Sequence, residues 1–314
     1  MSEGIVTFMI ELAKKLGDRP RLARVMRSAE PFAIFLIALT LNLVGNDRTG
    51  LWDRDEPRYA QCVREMQARG DWIFPTFNGE PRYHKPVLIY WLMRAGIAIG
   101  GDNPFGARLV SSIAGAGTCL LIWFWGRKML GTNGGRLAAL ILATSPIMIV
   151  ESKLATTDAT LALGIIGSLY ALWELARRPS KRMAAIFWIC LSLSFLTKGP
   201  VAPAIVAVTC VLAWLWGWPA IRALKRLEWK RGLIGFAAIT LPWFIAITIA
   251  SRGDFLRFAV GAQLVDRISS SLEEHGGFPG YYLVFSTLVF YPWSALVPVG
   301  LLGAWHRRKS DPNL

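Results

Sequence analysis

Between Pro86 and Gly100 the chain reads PVLIYWLMRAGIAIG, and how this block is taken decides the topology. It is apolar enough for lipid, but a helical crossing of a hydrocarbon core roughly 30 Å thick needs about 20 residues, and the block is shorter. It also carries Arg94 in its middle, a place that costs roughly 2.5 to 3.5 kcal/mol even on the lenient insertion scale. As a span it is short and penalised. As a helix lying in or near the outer interface it is neither.

Parity supports the second reading. Apolar spans occur at about 31–46, 106–126, 137–151, 160–176, 183–197, 200–217, 232–250 and 281–304. Basic clusters lie at Lys14 to Arg27, Arg127/Lys128/Arg136, Arg177 to Arg182, Arg222 to Arg231 and Arg307 to Lys309. Such clusters mark cytoplasmic segments. The segment 47–105 holds eight basic and eight acidic residues, which suits a folded loop outside. From that loop to Arg127 the chain must cross an odd number of times, so 86–100 and 106–126 cannot both be spans. The expected fold is an all-α integral membrane protein of about eight transmembrane helices, with interfacial helices in the first outside loop. Its parts are a cytoplasmic arm 1–30, the loop 47–105 and a helix bundle 106–305, forming one domain. This threading puts four polar segments outside: 47–105, 152–158, 198–200 and 251–280.

Composition agrees. The chain is 54% hydrophobic and only 18% charged, with mean hydropathy +0.39 and 14 tryptophans, a residue favoured at membrane boundaries. The net charge of +14 would raise the question of nucleic acid in a soluble protein. Here the base sits in clusters between apolar blocks, so no nucleic-acid partner is expected. Cys119, Cys190 and Cys210 fall in apolar blocks and Cys62 in a loop, which reads as small hydrophobes rather than a disulfide framework. No small-residue cleavage site follows the first apolar block, so no cleavable signal peptide is expected.

The outside loop carries the chemistry. In Leu51-Trp52-Asp53-Arg54-Asp55-Glu56-Pro57-Arg58-Tyr59, the proline and the stripe Tyr59, Cys62, Val63, Met66 define an amphipathic helix starting near Pro57. Asp55 and Glu56 have two compatible readings. Carboxylates before a helix-starting proline stabilise its free N–H groups, and a carboxylate held at the water–lipid boundary can take a proton from an acceptor hydroxyl. Lys85, in Tyr83-His84-Lys85-Pro86, either snorkels to head groups or holds a phosphate as a point charge, with Arg58 able to join it. Asp158 is an N-cap or a second functional carboxylate on the same side as Asp55 and Lys85. Lys198, in Thr197-Lys198-Gly199-Pro200, is a boundary lysine and a functional candidate by default. The loop 251–280 carries Asp266, Arg267, Glu273, Glu274 and His275. His275 with Glu274 or Asp158 could ligate a divalent metal, although the spacing has no specific metal signature.

Taken in order, several motifs resemble the GT-C glycosyltransferases, most closely the bacterial aminoarabinose transferases of lipid A and the protein O-mannosyltransferases. They are Asp55-Glu56-Pro57-Arg58-Tyr59-Ala60, Gly70-Asp71-Trp72 with Pro75, and His84-Lys85-Pro86 with Tyr90-Trp91. Ala107-Arg108-Leu109, the Asp158 segment, Thr197-Lys198-Gly199-Pro200, and His275 followed by Tyr281-Tyr282 and Pro292-Trp293 complete the set. The resemblance covers roughly residues 30–305.

It implies a transferase that uses a sugar linked to a polyprenyl phosphate and a lipid or protein acceptor, among the lipids of a bacterial inner membrane. Asp55, with Glu56 beside it, matches the catalytic carboxylate, and Asp158 supports the same cavity. Lys85 matches a lysine that contacts the lipid phosphate, and the charge growing on that leaving phosphate would be stabilised by Lys85, Arg58 and Arg267, with His84, Lys198 and His275 in support. No cofactor is required, and a divalent metal stays open. The family shows Lys-Pro-Pro where this chain has Lys85-Pro86-Val87. Its members continue beyond the point matching Leu314, with further spans and an outside globular domain that this sequence is expected to lack. Two other readings stand: a polyprenyl-phosphate or lipid-binding module or partner subunit without catalysis, and a transporter. The gathering of charge at one interface rather than at the midplane argues against a transporter.

Overall fold

The computed structural model describes residues 20–52, 55–260 and 281–307. It is helical apart from one small hairpin among these residues: α1 (Pro20–Leu43), α2 (Glu56–Ala68), β1 (Thr76–Phe77), β2 (Glu80–Pro81), α3 (Leu88–Gly100), α4 (Pro104–Ala143), α5 (Pro146–Ser152), α6 (Asp158–Arg177), α7 (Lys181–Lys198), α8 (Val201–Leu215), α9 (Ala220–Lys225), α10 (Trp229–Ala250), α11 (Asp254–Val260), α12 (Tyr281–Val289) and α13 (Val297–Arg307). By length and composition alone α4, α6 and α10 are long and apolar enough to cross a membrane, and Ala29–Leu43, α3 and α8 are shorter apolar helices. On α10 only Gly232, Thr240, Trp243 and Ile247 are buried, while Leu233, Ile234, Leu241, Ile245 and Ile249 point outward. A helix apolar all round with so thin an inward stripe belongs in lipid.

The expected spans and the helices differ in two places. The span 106–126 lies in the first arm of α4 and the span 137–151 runs from its second arm into α5, the two arms being bent at Gly131, whose φ of 79° and ψ of 178° are not helical. The second arm stops at Ala143 because Pro146 has no N–H to donate and drives Ser145 into an extended conformation (φ −67°, ψ 126°),. The stretch 281–304 divides into α12, a 3₁₀ turn at Trp293–Leu296 and α13, with Pro292 at the break. Polar groups tie the bundle internally, as lipid requires. Asn42 and Asn46 of the α1 end donate to the carbonyl and hydroxyl of Ser112 on α4 at 3.1 and 3.0 Å. Glu30 accepts from Trp123 and Arg136 at 2.9 and 2.6 Å.

The segment between α1 and α4 folds onto one end of this bundle. Helix α2 buries Tyr59, Cys62, Val63 and Met66, the stripe its spacing predicts, and burial pushes the Cys62 thiol up to about 12, the behaviour of a small hydrophobe. The β1–β2 hairpin turns through Asn78 (φ 53°) and Gly79 (φ 81°), the Asn-Gly pair that a two-residue turn with both φ positive favours. Glu65 of α2 accepts from the N–H groups of both turn residues, at 2.7 and 3.3 Å, and from Thr76 and Gln61. Burial raises its pKa, but these four bonds outweigh burial and draw it down to about 2.

Arg94 is central on α3, as the sequence shows, yet it does not face lipid. Its guanidinium lies 3.7 Å from the centre of the Trp72 ring and donates to the carbonyl of Asp71 at 3.2 Å. Trp91 and Trp243 hold the same strap through the carbonyls of Trp72 and Ile73, at 2.7 and 3.0 Å. Where α3 meets α4 the backbones touch: a side chain added at Gly96 would sit 2.5 Å from the Gly106 carbonyl oxygen. That closeness brings α3 directly against the α4 start.

Candidate functional site at the α2 N-terminus

Asp55 and Glu56 are neighbours in sequence with different surroundings. Glu56 is fully buried against Arg108 of α4, 52 residues away, which is itself 2% exposed. Arg108 uses all five of its N–H donors. Two go to the Glu56 oxygens at 2.7 and 2.8 Å, and the others go to the carbonyls of Asn46, Thr49 and Gly50. Glu56 also accepts from the backbone N–H of Ala155 at 2.7 Å and of Trp52 at 3.3 Å. Burial raises the Glu56 pKa, but the Arg108 and Ala155 hydrogen bonds outweigh it and hold the carboxyl below its ordinary value. One side chain thus ties α2 to α4, to the turns of segment 46–52 and to the α5–α6 connection. A carboxylate with every acceptor position filled is placed as an anchor rather than as a base facing substrate.

Asp55 faces the other way. Its side chain is 45% exposed, with Arg58 at 3.7 Å and Arg82 at 3.9 Å. It makes no side-chain capping hydrogen bond and sits in right-handed helical backbone, so capping does not account for it. Arg82 stands behind it, 10% exposed, with its guanidinium over the Tyr59 and Phe77 rings at 5.6 and 5.9 Å. Its Nε has no partner among the described residues. The Tyr59 hydroxyl is pushed up first by burial, then by the charges of Asp55 and Asp158. Two carboxylates 103 positions apart in sequence therefore share one phenol as a neighbour.

Asp158 opens α6, with Thr157 in the cap position. Its carboxylate accepts from Lys198, the last residue of α7, at 2.5 Å. Lys85 and His84 precede α3 on the segment that carries Arg82. Lys85 is half-buried, and the exposed His84 packs its ring against Phe258 of α11 at 5.1 Å. Arg267 and His275, with Glu274, lie outside the described residues. Among the described residues no group of three His, Cys, Asp or Glu side chains is placed to hold a metal ion.

Sequence reasoning placed Asp55, Arg58, Asp158 and Lys198 on one side, and the structure brings Asp55 to Arg58 and Asp158 to Lys198. It missed Arg82, which carries no motif of its own. It also passed over Arg108 as a structural partner, although an arginine at the head of an apolar block carries the same warning as Arg94. The arrangement presents two half-exposed carboxylates with cations set behind them. It can take or position a proton at its mouth and hold an anion beside it.

The family described as dolichyl-phosphate-mannose-protein mannosyltransferase matches residues 84–245. Relatives named undecaprenyl phosphate-alpha-4-amino-4-deoxy-L-arabinose arabinosyl transferase match the chain. The one from Pseudomonas aeruginosa strain UCBPP-PA14 is 33% identical over 304 residues, covering 91% of this chain and 53% of the relative. The one from Edwardsiella ictaluri is 31% identical over 273 residues, covering 83% and 48%. In fold the chain is similar to the crystal structure of ArnT from Cupriavidus metallidurans bound to undecaprenyl phosphate, with a TM-score of 0.77 at 24% identity, covering 91% of this chain and 53% of that one. The chain spans about half the length of the curated relatives it matches.

Proposed function

The chain belongs to the dolichyl-phosphate-mannose-protein mannosyltransferase family, and on that premise we propose that it is the part of a membrane glycosyltransferase that takes a sugar from a polyprenyl-phosphate donor. The relatives' names point to undecaprenyl phosphate-linked 4-amino-4-deoxy-arabinose as the donor, and a lipid A-like molecule fits as acceptor. The loop 47–105 lies outside a bacterial inner membrane, α3 lies in its outer interface, and the N-terminus is cytoplasmic. This orientation rests on the distribution of basic clusters.

The observation that carries the reading is the outward-facing Asp55, flanked by Arg58 and backed by Arg82, beside Asp158. In the reaction the bond between the anomeric carbon and the donor phosphate oxygen breaks as a bond to the acceptor oxygen forms. Negative charge grows on the departing polyprenyl phosphate. Lys85, Arg58 and Arg267 stabilise that charge more in the transition state than before it. Asp55 accepts the proton of a hydroxyl acceptor. Where the acceptor is an ionised phosphate there is no proton to take, and Asp55 positions the acceptor instead. Asp158, held by Lys198, orders the same mouth, with His84 in support. Glu56 serves through Arg108 as a positioning residue.

The test is sugar release from undecaprenyl phosphate-aminoarabinose by the purified chain in detergent. Wild type is compared with Asp55→Asn and Lys85→Ala, and folding is followed by thermal unfolding. Turnover that falls by a factor of about 10² to 10⁴ in Asp55→Asn, at unchanged folding, supports the assignment. Donor binding that depends on Lys85 without any turnover points to the binding-module reading. Turnover unaffected by Asp55→Asn rejects the role given to that residue.

A further inference from the structure

Helix α6 has a second polar end. From Asp158 to Arg177 it runs for about 28 Å at 1.5 Å per residue, roughly the thickness of a hydrocarbon core. At its far end lies a cavity of about 580 Å³ lined by Lys128, Glu174, Arg177, Arg178 and Arg222. The buried Glu174 takes up two of the four cations, Lys128 at 2.5 Å and Arg178 at 3.5 Å. Lys128 is bound as well to the Tyr170 hydroxyl at 2.8 Å. Arg177 and Arg222 face no carboxylate among the described residues. Arg177 lies instead over the Trp173 ring at 4.5 Å.

Trp173 also lines a second cavity of about 240 Å³, apolar and bounded by Trp125, Leu172, Cys210, Trp216 and Trp218 among others. Arg177 of the first cavity thus lies against the indole that lines the second. Trp125 packs 6.2 Å from Trp173, and its indole N–H is buried with no acceptor among the described residues. A buried donor without a partner is costly. Trp125 is itself one of the residues that line the apolar groove.

We infer that these two neighbouring cavities bind an anionic glycerophospholipid of the leaflet opposite Asp55. Its phosphate sits on Arg177 and Arg222, an ester carbonyl accepts from Trp125, and an acyl chain lies along the tryptophan-lined groove. Each part of that occupant answers a separate feature. The uncompensated cations ask for an anion, the groove asks for a hydrocarbon chain, and the orphan N–H asks for a carbonyl a few atoms from the phosphate. A polyprenyl phosphate supplies the first two and lacks the third. A free phosphate supplies only the first. The inference does not depend on the transferase reading.

The experiment is native mass spectrometry of the delipidated full chain, titrated with phosphatidylglycerol, phosphatidylcholine of the same acyl chains, ether-linked phosphatidylglycerol, undecaprenyl phosphate and inorganic phosphate. Phosphatidylglycerol is expected to bind tightest. Arg222→Gln is expected to weaken it about fivefold, from the energy of one basic residue at an anionic lipid surface. The ether lipid, which lacks the carbonyl, should bind wild type several-fold more weakly than the ester lipid, and Trp125→Phe should erase that difference. The ether comparison needs no variant to fold. Equal binding of ester and ether lipids by wild type overturns the inference. So does equal binding of phosphatidylglycerol and phosphatidylcholine, tighter binding of undecaprenyl phosphate at an Arg222-dependent site, or displacement of the lipid by inorganic phosphate.

Discussion

The two ends of α6 each hold a carboxylate bound to a lysine, and the two pairs are turned inside out relative to each other. At the Asp158 end the carboxylate is the exposed partner, 43% against 24% for Lys198. At the other end Glu174 is 3% exposed and Lys128 37%. Asp55 and Arg82 repeat the first pattern. The same two residue types thus give a face that offers carboxylates or a face that offers cations, according to which partner the packing covers. The carboxylate-bearing face suits proton transfer and acceptor positioning. The cation-bearing face suits lipid phosphate.

The comparison can be broken at the anchor that turns Asp55 outward. Glu56→Ala leaves Arg108 buried without its counter-charge, a situation that costs about 3–5 kcal/mol. Thermal unfolding in detergent should show that loss, with folded yield falling before any catalytic effect can be read. A variant as stable as wild type would mean that Arg108 finds another partner and that the anchor is dispensable.

Exchanging the two ends is the sharper test. Glu174→Gln removes a buried charge from two cations and should cost about 1–3 kcal/mol of stability while sugar transfer persists. Asp158→Asn removes a half-exposed partner worth about 1 kcal/mol or less, yet it should depress transfer strongly. The contrast fails if both variants lose stability alike or if Glu174→Gln loses transfer at unchanged folding.

Arg94→Gln removes the stacking on Trp72 and the hydrogen bond to Asp71, with an expected stability loss of about 1–2 kcal/mol. Protease sensitivity of the 70–75 strap should rise, and an unchanged digestion pattern would detach Arg94 from the strap.

The smallest effect is local and depends on pH. The Glu65 carboxyl is lowered to about 2 by its hydrogen bonds. It therefore stabilises the hairpin fully above the unfolded value of about 4.3 and loses that contribution as pH falls toward about 2. Protection of the Asn78 and Gly79 amides, corrected for intrinsic exchange, should be flat above about pH 5 and fall below it. Glu65→Gln should remove that dependence.

Much of the fold was legible because lipid imposes a coarse code. Long apolar blocks and basic clusters give the class and the grouping of charge, and the stripe Tyr59, Cys62, Val63, Met66 gives the buried face of α2. The bend at Gly131 and the stop before Pro146 were less legible, because the apolar blocks on either side run on without a gap in hydropathy. Asn78-Gly79 carried a hairpin signal that was readable and went unread. At the site, the acidic pair and the basic residues were legible as types. Their assignment was not, since nothing local distinguishes Asp55 from Glu56.

By itself the sequence determined that the chain lives in a membrane and which segments are apolar, and it led to the expectation that Asp55, Lys85, Asp158 and Lys198 share one polar side. Only the tertiary structure decided that Glu56 is sealed against Arg108 while Asp55 looks outward, that Arg82 stands behind Asp55, and that Arg94 clamps a strap. The physical reason is range. Hydropathy and helical periodicity are sums over neighbouring residues, whereas a buried charge is settled by the one counter-charge that packing brings to it, here from 52 positions away.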